Sequence, residues 1–436
     1  MRSVEEQVQA ARDLARPLES LDLTLGDAQG CVLAADVEAA YPVPAFPTAT
    51  MDGYAVNAAM TVHVGADSCA RSLGPGTSFD VVDWLRPGFT TDQPLSRTQA
   101  VHVRTGTMVP TCCTAVVSAG IDSAELVTGH SARRAIDVCS ARDLCSVIDI
   151  RDVVEPGAGI ALAGSYVAPE DVVLRAGTIL TERAIAAAAA VGRSRVRAHP
   201  RPRVVIITVG DHLVEVDQAI VDGLVHDATG AMLVAAARSV GAMAFRGGPV
   251  QADPAAIGRA LDDQCVRADL VVVLSAVADN GNQTENVVVQ ALRESGEPDI
   301  EHCGISPGTR IGLTTVGPDA VPVVTMDGLA LSAFAGFEVI VRPMIAAMAG
   351  RGDVLRSVER AVVNSCVTDL PSVFTILAAR TVPDPITGEL RVEPMRELAH
   401  SASLWLYRAD SIMIIPADVT SLVEGDEVAI VRLSES

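Results

Sequence analysis

The sequence contains no lysine: all 33 basic residues of the 436-residue chain are arginine. Any mechanism that needs a lysine ammonium group is therefore excluded. Positive charge is also scarce as a whole, because 54 acidic residues bring the formal net charge to −21. Such an acidic chain argues against nucleic acid and against an anionic membrane surface as partners, since both bind basic faces.

Metal-binding and membrane-spanning patterns are missing as well. The nine cysteines include no C-x-x-C pair and the eight histidines no H-x-x-x-H pair, and the adjacent Cys112 and Cys113 suit neither an ordinary disulfide nor a zinc knuckle. We therefore predict no zinc site and reduced, mostly buried thiols. The purest apolar run, Ala184–Gly192, is too short to span a membrane, and the N-terminus is acidic and amphipathic, unlike a signal peptide. A cytoplasmic protein without direct membrane insertion is expected.

The length of the chain and the changes of residue pattern along it predict an α/β multidomain protein. Residues 1–47 and 153–180 are interpreted as elongated linker or dimerisation segments, and residues 48–152 as an inserted β-rich lid domain. Residues 181–350 alternate strands with helices, which predicts a doubly wound parallel sheet. Short strands bounded by turn residues predict a C-terminal β-barrel over 351–436. The four strands expected in the parallel sheet are Val204–Thr208, Ala242–Phe245, Leu270–Leu274 and Val321–Thr325.

One stretch, Arg203–Asp211, is central to this interpretation. Its uninterrupted apolar residues indicate a strand buried on both faces, Gly210 permits a tight turn, and Asp211 leaves the carboxyl end of the strand. Ligands bind at that edge of open α/β sheets. The carboxylate of Asp211 could hold a metal ion or a ligand hydroxyl, and it could equally cap a helix or stabilise a turn.

Four spaced motifs carry a resemblance to a known family. They are the Met51–Val56 run (MDGYAV), the Thr105-Gly106 pair, the strand from Arg203 to Asp211 with Asp227 after it, and a late region from Ser306 to Ala333 that holds S-P-G-T-R and D-G-x-x-x-S-A. In this order they resemble the MoeA family of molybdopterin molybdenumtransferases, which includes the gephyrin E domain. The short opening Arg2–Glu6 is similar to that of actinobacterial gephyrin-like proteins.

The resemblance implies an elongated homodimer and a reaction that inserts molybdate into the dithiolene of adenylylated molybdopterin, with release of AMP. It implies Mg²⁺ as cofactor. The catalytic residues that it implies are Asp52, Thr105 and Asp227, and the metal ligands are Asp211 and Asp227. The molybdopterin-binding residues that it implies are Gly106, Gly210, Gly308, Arg310 and Ser332.

Each of these roles has a plainer alternative. Asp52 could be the turn residue before Gly53, Asp211 and Asp227 could cap helices, and Arg310 could form a surface salt bridge.

Several family positions have changed their chemistry. The K-P-G-K-P motif has become Ser306–Arg310, which loses both lysines, and Asp327 stands where the family has proline. Substrates and products of the reaction are anions, so each change removes charge stabilisation from the site. The sequence therefore predicts weak or lost turnover. It leaves a second function open, a non-catalytic gephyrin-like scaffold that binds a protein tail, of FtsZ and of a membrane receptor, in a groove near the C-terminal domain during cell division.

Overall fold

The structure is a computed structural model that describes residues 2–58, 76–91, 94–118, 124–126, 147–150, 153–275, 287–295, 298–308, 310–352, 356–384, 388–395 and 402–433. The chain forms two compact units. The first unit consists of residues 1–35, 176–181 and 195–436, and the second of residues 36–175 and 182–194.

The first unit begins with helix α1 (Val4–Leu14), followed by strands β1 (Leu21–Thr24) and β2 (Val32–Leu33). A capping box starts the helix: Glu6 N–H donates to Ser3 Oγ at 3.1 Å, and Ser3 N–H donates to the Glu6 carboxylate at 2.8 Å. Each side chain thereby satisfies a backbone donor that the first helical turn leaves free. The other end of α1 packs in the core of the first unit through Ala11 and Ala15.

The second unit is mostly β-structure. A six-stranded sheet of order β8-β5-β7-β6-β10-β9 forms its centre. Gly53 is required there, because a Cβ at this position would lie 2.0 Å from the carbonyl oxygen of Val117 on the neighbouring strand. The elements of this unit are β3 (Val37–Glu38), β4 (Thr48–Ala49), β5 (Gly53–Val56), β6 (Ser78–Leu85), β7 (Gln99–Val103), β8 (Ala115–Ser118), β9 (Ala124–Leu126), β10 (Val147–Ile150), β11 (Ile160–Ala161), β12 (Val172–Leu174) and α2 (Glu182–Ala190).

The first unit resumes with β13 (Arg195–His199), which joins β1 and β2 in a three-stranded sheet. An α/β region of alternating strands and helices follows. Its elements are β14 (Arg203–Val209), β15 (Leu213–Val214), β16 (Val225–His226), α3 (Ala228–Ser239), β17 (Met243–Val250), α4 (Pro254–Cys265), β18 (Leu270–Ser275), α5 (Val287–Ser295), β19 (Asp299–His302), β20 (Ile305–Ser306), β21 (Arg310–Val316) and β22 (Val321–Asp327).

The main sheet of this region has the order β17-β14-β18-β22-β21-β19. The four predicted strands are present and run parallel, so the doubly wound interpretation is confirmed for them. Strands β21 and β19 were not predicted: β21 pairs antiparallel with β22, and β19 pairs antiparallel with β21. Glycine, threonine and charged residues interrupt their apolar pattern, and an antiparallel edge on a parallel sheet is a common ending.

One long helix follows the sheet, from Ala330 to Met348. It consists of α6 (Ala330–Gly336), a π-helical turn (Phe337–Val341) and α7 (Arg342–Met348). Pro343 lacks the N–H that an α-helix would use at that position, and a π-turn is one way to accommodate it. Among the residues described, this is the helix that is long and apolar enough to cross a membrane, yet 78% of it is buried inside the fold. It is the core helix of the first unit.

The C-terminal region is a closed five-stranded β-barrel. Its strands are ordered β24-β25-β23-β27-β26, and a further pairing between β24 and β26 closes the ring. The predicted barrel is therefore confirmed, and β20 adds to it from outside by pairing with β24. The elements are β23 (Val358–Val363), β24 (Phe374–Pro383), β25 (Leu390–Pro394), α8 (Ala402–Leu406), β26 (Ser411–Ile415) and β27 (Glu427–Arg432).

Candidate functional site

The carboxyl edge of the parallel sheet forms one aligned row. Val209 of β14 pairs with Ser275 of β18, and Ser275 pairs with Asp327 of β22. Gly210 follows directly after the first of these residues, and Gly328 N–H donates to the carbonyl oxygen of Ser275 at 2.8 Å. In open α/β sheets this edge is where ligands bind, so the row defines the candidate site of the first unit.

Two polar side chains of this row, those of Ser275 and Asp327, are buried or partly buried. Ser275 is 6% exposed, and its hydroxyl has no hydrogen-bond partner among the described residues. Burial raises the pKa of the Asp327 carboxyl, and hydrogen bonds from Leu329 N–H, the Ser332 hydroxyl and Gly328 N–H offset only part of that effect. A buried group without a partner is costly, so the Ser275 hydroxyl is available to a ligand.

Three of the predicted binding residues meet at the same edge. A Cβ at Gly308, whose φ is +90°, would lie 3.0 Å from the Cβ of Ser332, so these two residues are in close contact. Ser332 in turn bonds Asp327. Arg310 begins β21, and continuing the β21–β22 register from its Gly312–Thr325 pair brings Arg310 opposite Asp327.

Asp211 lies at the surface next to this row. One carboxylate oxygen, Oδ1, accepts a hydrogen bond from Ala252 N–H at 3.0 Å. The residue is exposed, and its other oxygen, Oδ2, accepts no hydrogen bond from a described residue. Of the two predicted metal ligands, Asp211 is therefore the one with a carboxylate oxygen that no described residue occupies.

Asp227 has a different environment, because it is buried and fully bonded. It is 2% exposed and caps helix α3 by accepting Gly230 N–H on Oδ1 at 2.8 Å. Its Oδ2 accepts the Thr208 hydroxyl at 2.6 Å and Nη2 of Arg246 at 2.5 Å. The other guanidinium nitrogen of Arg246, Nη1, pairs with the Glu215 carboxylate. The helix-capping alternative for Asp227 thus describes what the carboxylate does.

This arrangement does not fit a Mg²⁺ ion bound by Asp227. Mg²⁺ needs oxygen ligands at about 2.0–2.1 Å in octahedral geometry, whereas a guanidinium group only donates hydrogen bonds. Among the described residues no group of three or more His, Cys, Asp or Glu side chains could hold a metal ion. The magnesium site stays a prediction.

Sequence reasoning missed Arg246 and Glu215. The signal for Arg246 is the run Arg246-Gly247-Gly248, in which a single charge precedes two glycines inside a strand. That pattern is typical of a β-bulge, and the β14–β17 register indeed shifts there, between Ile206 and Thr208. No sequence signal identifies Glu215 as the partner.

Asp52 and Thr105 come together in the second unit, 53 residues apart in the chain. Oδ1 of Asp52 accepts Thr105 N–H at 2.7 Å and the Thr105 hydroxyl at 3.0 Å. These two bonds hold the pKa of the Asp52 carboxyl below its usual value, so it is ionised at neutral pH. Gly106 follows with φ +82°, a conformation that favours glycine, so the predicted Thr-Gly pair forms a tight turn around the carboxylate.

A cavity of about 450 Å³ lies elsewhere in the first unit, between the α/β region and the barrel. Glu338 and Arg342 of the long helix line it, with Arg356 before the barrel. The Glu338 carboxylate is buried and bonded by both guanidinium groups, at 2.7 Å from Arg342 and 3.0 Å from Arg356. The exposed ring of Tyr407 completes the rim.

Comparison with known proteins identifies relatives along the whole chain. Residues 2–192 match the MoeA N-terminal region (domain I and II), and residues 205–347 match a probable molybdopterin binding domain. Molybdopterin molybdenumtransferase 1 of Mycobacterium tuberculosis is 29% identical over 100% of both chains, and molybdopterin molybdenumtransferase 2 of the same organism is 28% identical over 99% of both.

Solved structures have the same fold. The molybdopterin biosynthesis MoeA protein of Pyrococcus horikoshii superposes with TM-scores of 0.78 and 0.70 in two structures, at 21% and 22% identity, over 99% or more of each chain. The order of domains, the parallel sheet and the closed barrel are thus those of MoeA. With both matched regions in their expected order, the chain belongs to the MoeA family of molybdopterin biosynthesis proteins.

Proposed function

We propose that the chain acts in molybdenum cofactor biosynthesis as a molybdopterin molybdenumtransferase of low turnover. The reaction inserts molybdate into the dithiolene of adenylylated molybdopterin and releases AMP, as the family resemblance implies. The observation that carries the proposal is the row Val209–Ser275–Asp327, a sheet edge with a buried hydroxyl that has no hydrogen-bond partner among the described residues. End-to-end similarity to curated transferases supports it. The same relatives favour a cytoplasmic location.

The groups at this edge suit an anionic substrate. The Ser275 hydroxyl can donate a hydrogen bond to an oxyanion. The glycine at 308 allows backbone to approach closely, and Arg310 supplies a cation in a chain without lysine. In the second unit, Asp52, held by Thr105, is the catalytic carboxylate that the family resemblance implies.

Low turnover follows from the charges that the edge has lost or gained. Removing one preorganised donor from a site of this kind costs about 2.7–4 kcal/mol, or 10²–10³ in kcat. Both family lysines are absent, and Asp327 brings an acid next to the anion.

AMP release by the purified protein tests the proposal. We expect slow, molybdate-dependent release of AMP from adenylylated molybdopterin, and growth of a transferase-deficient strain on expression of the chain. D327N should bind the substrate more tightly because it removes the acid. D269N is the matched control: it makes the same change near the amino end of β14, where Asp269 bonds Arg203. Absence of both AMP release and growth would refute the proposal.

A homodimer is part of the proposal and rests on the resemblance alone. Light scattering coupled to size-exclusion chromatography should give about twice the chain mass of 45.3 kDa. A mass of one chain at all concentrations would contradict it.

The 450 Å³ cavity favours a second candidate function, a scaffold that binds a protein tail. Two arginines and one glutamate line the cavity, so it carries a local charge of +1 in a chain of net charge −21. Tyr407, which is 88% exposed, lines it as an apolar anchor. An extended acidic tail with an apolar side chain, as the FtsZ tail of the gephyrin-like alternative would provide, suits that combination.

Fluorescence polarisation with labelled tail peptides tests this candidate. We expect micromolar affinity that Y407A weakens about tenfold, because truncation of an aromatic anchor typically costs more than 1 kcal/mol. V266A is the matched control, since Val266 is also 85% exposed but lies at the end of α4, outside the cavity lining. Equal loss in both variants, or no binding at all, would remove the candidate.

A further inference from the structure

Arg246 lies where two carboxylates of the first unit converge. Its Nη2 bonds Oδ2 of Asp227 at 2.5 Å, and its Nη1 bonds the Glu215 carboxylate. Arg246 is 20% exposed and Asp227 2%, so this is a largely buried ion network. Buried carboxylates without a counter-charge are strongly destabilising, so a cation is required at this point.

The backbone around Arg246 is built for this contact. Between Ile206 and Thr208 of β14, the partner positions on β17 advance from Arg246 to Pro249, which inserts one extra residue. Two glycines form the bulge: a Cβ at Gly247 would lie 2.8 Å from the side chain of Ile207, and Gly248 has φ +80°. Side chains at these two positions would clash with Ile207 or strain the backbone, so the bulge that places Arg246 requires both glycines.

Asp227 connects this network to the candidate site. Its Oδ2 also accepts the hydroxyl of Thr208, two residues before Gly210, and its Oδ1 caps α3. Both oxygens are thus occupied by protein donors. A divalent ion at Asp227 would have to displace Arg246 together with the Thr208 hydroxyl.

We infer that Arg246 is a built-in cation that takes the place of a divalent metal between Asp227 and Glu215. Arg246 is then a positioning residue, which fixes Asp227, the start of α3 and the turn after β14 without any metal ion. The inference does not rest on the proposed transferase activity, since its measurements are metal binding and thermal stability.

Titration with Mn²⁺, in which electron paramagnetic resonance measures the bound ion, tests the inference, and Mg²⁺ serves as the competitor. We expect no saturable binding by the wild-type protein at Asp227, so D227N should leave its Mn²⁺ titration unchanged. R246M frees two carboxylates, and weak binding should appear, with a Kd on the order of 0.1–1 mM. The double variant R246M/D227N should lose it again.

Two controls separate a cation role from a packing role. R246K keeps a positive charge, so it should stay metal-free and retain more of the wild-type melting temperature than R246M does. R203M removes an arginine from an ion pair with one carboxylate, Asp269, and should gain no metal binding. Only R246M should then show a melting temperature that rises on addition of Mn²⁺.

Wild-type binding of Mn²⁺ that D227N abolishes would overturn the inference. This measurement needs no folded R246M protein, so it decides the question even if that variant aggregates. A soluble, folded R246M that binds no Mn²⁺ would also overturn it, because the two freed carboxylates would then not form a cation site. Loss of AMP release with metal binding as predicted would instead contradict the proposed activity alone.

Discussion

The ion network at Glu338 gives the sharpest stability prediction. Replacing Glu338 by leucine removes the one carboxylate that Arg342 and Arg356 share. The side chains are 6%, 13% and 21% exposed respectively, so the two guanidinium groups would stay in a poorly hydrated environment without a counter-charge. Arg356 also donates to the carbonyl oxygens of Arg432 and Leu433, so the loss should loosen the barrel against the long helix.

The magnitude follows from the burial of the network. Removing one partner of a buried ion pair costs about 3–5 kcal/mol. For a large domain, each kcal/mol lowers the melting temperature by about 2–4 °C, so E338L should melt about 6–20 °C below the wild type. Replacing the whole network by apolar residues, as E338L/R342M/R356M, removes the unpaired charges, and such exchanges are often neutral or stabilising. The triple variant should therefore recover most of the loss.

Differential scanning calorimetry would measure the melting temperatures, and hydrogen exchange would locate the change. Faster exchange is expected in residues 330–348 and in β27, where Arg356 is anchored, and unchanged exchange in the second unit. As a surface control, E182Q breaks the exposed pair Arg183–Glu182 and should shift the melting temperature by no more than about 4 °C, because such pairs contribute about 0–1 kcal/mol. The reasoning fails if E338L melts with the wild type, or if the triple variant is as unstable as E338L.

Three further predictions concern a glycine pair, an acid and a thiol. G53A should unfold or strongly destabilise the second unit, whereas G258A, in an open position of α4, should raise the free energy of unfolding by about 0.5–1 kcal/mol. Denaturation curves of the two variants would measure this, and equal effects would contradict the steric argument. D327N should raise the melting temperature at pH 7 but not below pH 3.8. The carboxyl pKa is raised by folding, so the acid lowers the stability of the folded protein as the pH rises from 3.8 through the folded-state pKa, and a gain in D327N that persists at low pH would contradict this. Cys366 is exposed, whereas burial raises the pKa of Cys113 to about 12, so C366S should remove one equivalent of fast thiol labelling at pH 8 and C113S none.

The parallel sheet could be predicted because its strands carry their signal locally. The run Val204–Val209 is apolar without a break, which indicates burial on both faces, and the helices between the strands show their caps in the sequence, as Asp253 does before Pro254. Antiparallel β21 lacks that signal, since Gly312 and its two threonines resemble a loop. Its pairing with β22 becomes visible only in three dimensions.

The candidate site was predictable only in part, and the reason is partner choice. Motif resemblance singled out Asp52 and Thr105, and the hydrogen bonds between them join positions 53 residues apart. For Asp227 the same resemblance implies a metal, while the folded chain offers Arg246. Which cation meets a buried carboxylate depends on a bulge in a neighbouring strand, and no local pattern around Asp227 contains that information.

The π-helical turn limits which changes in length the long helix can accept. One residue of an α-helix corresponds to a rotation of about 100°, so the wider turn at Phe337–Val341 sets α7 at a different angle from the one that an unbroken α-helix would give it. Met344 and Ile345 are fully buried on that rotated face. Deleting a single residue from the turn would swing both away from the core, while exchanging one apolar residue for another would leave them in place. Between Ala330 and Met348, exchanges among apolar residues should therefore be tolerated better than insertions or deletions.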